Sequence, residues 1–95
     1  MTLKILYKKI ATKFISKNKI SKDEVDSLVV KSMKKIIKKE DINIDLKKLV
    51  TNEQEFFRIR KGNIRIIFSF DLDGNVVVCL VENIGYRGDI YKWKK

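Results

Sequence analysis

The chain holds 18 lysines and four arginines, and three of the arginines, Arg58, Arg60 and Arg65, fall within the segment RIRKGNIRIIF (58–68). The fourth is Arg87. A guanidinium is planar, permanently charged and presents paired donors that match two oxygens of one phosphate, which a lysine ammonium does not. Arginine clustered in a lysine-rich background therefore points to a grip on phosphate. The same residues admit a second reading, in which long aliphatic stems shield an apolar sheet face. At the level of residue type, both readings stand.

Composition narrows the partners. A chain of 95 residues is expected to form one domain, 1–95, with a single modest core. Hydrophobic residues make up 44% and charged residues 36%, with a formal net charge of +10 and a pI near 9.8. Such a charge favours a polyanionic partner and opposes compaction by self-repulsion. An acidic partner that binds only the folded state would stabilise it. Cys79 is the single cysteine, which excludes an intramolecular disulfide and fits a reducing compartment. The longest uncharged run, Gly74 to Val81, is far short of a membrane span, and MTLKILYKK carries no cleavage pattern. The expectation is a cytoplasmic protein with no membrane partner and no small-molecule cofactor.

The elements that must position the arginines follow from periodicity. A short strand, Leu3 to Tyr7, gives way to a helix whose buried face is Tyr7, Ile10, Ala11, Phe14 and Ile15. SKDE at 21–24 reads as a capping box, with Ser21 as N-cap and Glu24 three residues on. Behind it Val25, Leu28, Val29, Ser32, Met33, Ile36 and Ile37 keep helical spacing and predict a helix over 22–39. Lys31, Lys34, Lys35, Lys38 and Lys39 occupy its other side and its C-terminal end, where cations suit the helix dipole. Residues 40–55 read as an irregular connection with a helical turn around Leu46 to Leu49. The second half is β: FFRIR, IRIIFSF and VVVCLVENI are strands separated by KGN and DLDGN. In DLDGN a three-residue loop, Leu72-Asp73-Gly74, would place Gly74 in the left-handed region. Its DxDG lacks the ligand spacing of a calcium loop. The fold class is α+β, in the order β-α-α-β-β-β: a small antiparallel sheet with two N-terminal helices packed on one face.

Register sharpens the arginine question. If Phe57, Ile59, Ile64, Ile66 and Phe68 all face the helices, paired residues must sum to an odd number, so that residue 65 faces 60 or 58. The same parity sends Arg58, Arg60 and Arg65 together to the uncovered face. Packed like charges repel, a cost that an anion would relieve.

The stretch FFRIRKGNIRIIFSFDLDGNVVVCLVENIGYRGDIYK (56–92) resembles the sheet of RelE/ParE-superfamily toxins. Their pattern is a Tyr-Arg-Ile-Arg-like strand, a glycine, Arg-Ile-Ile-Tyr, an acidic hairpin turn, a valine-rich strand, then Gly-His-Arg and Asp-Ile-Tyr. The motif likeness covers about the C-terminal forty residues; the first half agrees only in element order. For RelE-like members the resemblance implies a ribosome-dependent messenger RNA endonuclease held in check by a cognate antitoxin, here expected to be acidic. Arg58 and Arg60 match two basic positions that are lysine in some members. Arg65 matches the arginine after the hairpin glycine, Arg87 the arginine after the last strand, and Tyr91 the C-terminal tyrosine. Tyr86 stands where many relatives have histidine, and Phe68 where tyrosine is common. ParE-like relatives share the sheet but act on DNA gyrase, which is the alternative; a plain nucleic-acid-binding module or an inactive relative retained for antitoxin binding is a third.

The chemistry implied is metal-independent RNA cleavage, in which the substrate's 2′-OH attacks the adjacent phosphorus. It needs a base for that proton, charge stabilisation on the phosphate and protonation of the leaving 5′ oxygen. The chain has no histidine, and no carboxylate cluster or Cys/His spacing suggests a metal. The resemblance makes Tyr91 the candidate base, with Arg65 and Arg87 completing the catalytic set and Arg87 facing the leaving-group charge. Arg58, Arg60 and Lys61 would bind phosphate. Lys34, Lys35 and Lys38 on the second helix would touch RNA phosphates without regard to sequence. Structural alternatives are an anchoring role for Tyr91, an ion pair of Arg87 with Asp89 or Glu82, packing by Trp93 and a core position for Cys79.

Overall fold

In the computed structural model, residues 2–51 and 54–86 are described. The elements run β1 (Thr2–Tyr7), α1 (Lys9–Lys17), α2 (Lys22–Ile37), β2 (Asp45–Val50), β3 (Glu55–Lys61), β4 (Ile64–Asp73) and β5 (Val76–Tyr86). The five strands form one sheet in the order β1-β5-β4-β3-β2. β1 lies parallel to β5, whereas the β2–β3, β3–β4 and β4–β5 pairs are antiparallel. The two helices carry the chain from β1 at one edge of the sheet to β2 at the other. The parallel neighbours β1 and β5 are joined through all the elements between them, since no tight turn can join parallel strands. The sheet is therefore mixed, and the antiparallel expectation holds for β2 to β5.

The predicted core is largely the observed one, except that Ile10, placed on the buried face of α1 by its spacing, is 53% exposed. Ala11, Val25, Val29 and Met33 from the helices meet Ile59, Ile66, Phe68, Val77, Cys79, Val81 and Ile84 from the sheet, all buried. Phe57 and Ile64 pack against the same cluster, so all five expected helix-facing positions of β3 and β4 lie on that side. Arg60 is paired with Arg65 and Ile59 with Ile66, the odd-sum register with a two-residue loop, Gly62-Asn63. Gly62 takes φ +59, which an L side chain adopts only at a cost of about 1–2 kcal/mol.

Three details differ from the sequence reading. Residues 45–50 are a strand rather than a helical turn. Ile42, Ile44 and Leu46 alternate with Asn43, Asp45 and Lys47, a period of two, and Ile44 and Leu46 pack on the main core. The second hairpin closes with two residues, Gly74-Asn75, because Asp73 pairs with Val76; Gly74 does hold φ +62. The capping box is half formed: the Ser21 hydroxyl accepts from the Glu24 amide at 3.2 Å, while the Glu24 carboxylate pairs with Lys61 instead of reaching back.

Tyr7 ties the end of β1 to α2. Its hydroxyl donates to Asp26 Oδ1, and Lys22 sits 4.9 Å from its ring centroid while pairing with Asp26 at 3.2 Å. Burial first, then the Asp26 contact, pushes the Tyr7 phenol above its ordinary pKa. Burial likewise pushes the Cys79 thiol up to about 11. Among the described residues, no helix is long and apolar enough to cross a membrane.

Candidate phosphate-binding face

The sheet face away from the helices is built from the odd positions of β3's partners. Asp45 opposes Arg60, Arg60 opposes Arg65, and Arg65 opposes Gly85, giving one row across four strands. The next row holds Lys47, Arg58, Ile67 and Asn83. Thus Arg58, Arg60 and Arg65 do share one face, as the parity argument requires, and Lys47 joins them. Gly85 puts no side chain beside Arg65.

Each guanidinium is held differently. Arg65 is 7% exposed and turns back on its own hairpin, its Nη1 donating to the carbonyls of Gly62 at 2.8 Å and Ile64 at 3.2 Å. Arg58 is largely covered, its side chain 11% exposed, with Nη2 on Asp45 Oδ1 at 2.9 Å and its buried Nε without a hydrogen-bond partner. Arg60 is half open to solvent and pairs through Nε with Asp45 Oδ2. Asp45 therefore bridges two arginines. Sequence reasoning missed Asp45 and Lys47 because both belong to β2; the alternation from Ile42 to Leu46 was the signal that carried them.

Farther along the same face, Ile67 and Phe56 form a small buried cluster with Leu49. Beyond it, Glu82 is buried, accepting from the Ser69 hydroxyl at 2.7 Å and pairing with Lys8 at 2.7 Å. Glu82 is the extra residue where the β4–β5 register shifts between Ile67 and Phe68. These groups border a cleft of about 400 Å³ that also takes in Leu6, Leu80 and Asp71.

The remaining sequence candidates sit elsewhere. Lys61 lies on the helix side of the sheet, 2.6 Å from Glu24. Lys34 and Lys38 flank an apolar groove formed with Leu3, Met33 and Val77, and Lys35 donates to the Ile42 carbonyl at 2.8 Å. They belong to the helical layer and do not converge on the arginines. Tyr86 also points to the helices: its hydroxyl donates to Asn18 at 3.1 Å and its ring meets Phe14 edge-on at 5.2 Å. Phe68 is fully buried and stacks on Phe57 at 5.7 Å. The two departures from the resembled motif therefore remove nothing from the arginine face. Arg87, Asp89, Tyr91 and Trp93 lie outside the described residues. Among the described residues, no three His, Cys, Asp or Glu side chains group as a metal site.

No protein-family model and no curated protein matches the chain. Solved structures do. A chain of the crystal structure of the archaeal RelE–RelB complex from Pyrococcus horikoshii OT3 superposes with a TM-score of 0.55 at 22% identity, over 94% of this chain and 99% of that one. A chain of the RelB–RelE antitoxin–toxin complex from Methanococcus jannaschii gives 0.51 at 18% identity, over 95% and 99%. The fold is RelE-like. On this RelE-like fold the arginine set occupies the side of the sheet that the helices leave uncovered.

Proposed function

We propose that this chain is the toxin of a toxin–antitoxin pair and that it cleaves messenger RNA on the ribosome. The observation that carries the reading is the placement of Arg58, Arg60, Arg65 and Lys47 on one sheet face, on a fold shared with chains of RelE–RelB complexes. Arg60 and Arg58 would hold the scissile phosphodiester. Arg65, braced against the turn, adds positive potential beside Arg60 and fixes the hairpin that presents it.

The reaction balances without a cofactor. The 2′-OH loses its proton to a base, its oxygen attacks phosphorus as the P–O5′ bond breaks, and the leaving 5′ oxygen takes a proton from solvent water, giving a 2′,3′-cyclic phosphate and a 5′-hydroxyl. Tyr91 is the base in this scheme and Arg87 offsets charge at the leaving oxygen; both assignments rest on the motif resemblance. A cognate acidic antitoxin is the protein partner, its charge opposing the +10 of the chain.

The test is induced expression in a bacterial host, with transcripts mapped by primer extension and plasmid topology read on the same cells. Growth arrest with new messenger ends and normal supercoiling supports RNA cleavage. Growth arrest with intact messengers and relaxed or linearised plasmid would replace it with the gyrase reading.

A further inference from the structure

Asp45 is the only carboxylate on the two rows that carry Arg58, Arg60, Arg65 and Lys47 among the described residues. One of its oxygens accepts from Arg58 Nη2 and the other pairs with Arg60 Nε. Two oxygens of one anion bridging two guanidiniums is how the non-bridging oxygens of a phosphodiester would meet the same pair. The donor set also exceeds what Asp45 satisfies, since the buried Nε of Arg58 has no acceptor. An unmet buried donor of this kind is costly, more so when charged. Asp45 and Arg60 are 36% and 52% exposed as side chains, so their ion pair is screened by water and weakly held.

We infer that Asp45 is an internal anion occupying the phosphate seat of Arg58 and Arg60, displaced when an RNA backbone binds. This rests on the arginine face being the RNA site. An attached carboxylate competes at an effective concentration on the order of millimolar or above. Single phosphates therefore bind poorly, while an RNA engaging several cations at once displaces it. Asp45 thereby sets a threshold that favours a multiply held strand over free anions.

The test uses the full chain and a twelve-nucleotide oligouridine, with binding followed by fluorescence anisotropy across a salt series. Asp45→Asn is expected to tighten binding about three- to tenfold at low salt. The salt slope is expected to steepen by about 0.7, the increment for one further phosphate on a single strand. Asp73→Asn, the same charge change at the distant hairpin, is expected to do much less. Equal tightening by both variants, or none by Asp45→Asn, would overturn the inference. Wild-type protein gives an independent readout: the Asp45 carboxyl carbon resonance shifts at saturating RNA, and an unmoved resonance refutes displacement. If Arg60→Gln weakens binding while Asp45→Asn changes nothing, Asp45 is a brace and the RNA face stands. If Arg60→Gln also changes nothing, the assignment of the face itself fails.

Discussion

Arg60 and Arg65 are direct neighbours across the β3–β4 pair, yet they answer to different forces. Arg65 is buried against the turn carbonyls and Arg60 opens to solvent. Arg65→Ala removes two hydrogen bonds from a charged donor and is expected to cost about 2 kcal/mol, read as a lower midpoint in urea unfolding. Arg60→Gln should change the unfolding free energy by no more than about 0.5 kcal/mol while lowering RNA affinity. Parity of the hydrophobic positions made the shared face legible from sequence. The fold-back of Arg65 was not, because it depends on where the Gly62 and Ile64 carbonyls point after the turn closes. Tyr7 adds a pH effect. Its folded pKa stands above the unfolded value, so its contribution is intact below about pH 10 and is lost as pH rises beyond it. Stability should begin to fall above about pH 10 in wild type and fall less steeply there in Tyr7→Phe, whose neutral-pH stability is lower by about 1 kcal/mol, as read by unfolding across a pH series.

At the scale of elements, α1 ends in a Schellman arrangement. The Ile20 amide donates to the Ile15 carbonyl at 3.1 Å, the Lys19 amide to Ser16 at 3.5 Å, and Lys19 takes φ 53. Glycine is the usual residue at that left-handed position, so Lys19→Gly should raise stability by up to about 1 kcal/mol in thermal or chemical unfolding. The helices were readable because their apolar spacing is long and regular, and Ser21 marks the start of α2. β2 was harder to read. Its alternation runs only from Ile42 to Leu46, after which Leu49 packs on the other face beside Phe56 and Ile67. A six-residue edge strand owes its conformation to pairing with β3, a partner that local sequence does not reveal. Missing that strand hid Asp45 and Lys47, two of the five charged residues on these two rows of the candidate site.

For the whole molecule, a net charge of +10 makes self-repulsion a standing cost that salt relieves. Raising sodium chloride from 20 to 300 mM shortens the Debye length from roughly 20 Å to roughly 6 Å. The melting temperature should rise by about 4–8 °C if the relief amounts to about 1 kcal/mol, and an unchanged or falling value would mean that paired charges outweigh repulsion. Charge and single-domain size were plain in the sequence; the side of the sheet that concentrates the charge required strand order and register. The proposed function has the arginine face hold messenger RNA for cleavage on the ribosome. Primer extension on a messenger bound in the ribosomal A site, comparing wild type with Arg60→Gln and Tyr91→Phe, tests this. New ends produced by wild type, and at least tenfold slower by each variant, a barrier change of about 1.4 kcal/mol or more, are the predicted result. A messenger left intact by folded, growth-inhibiting wild-type protein would contradict it.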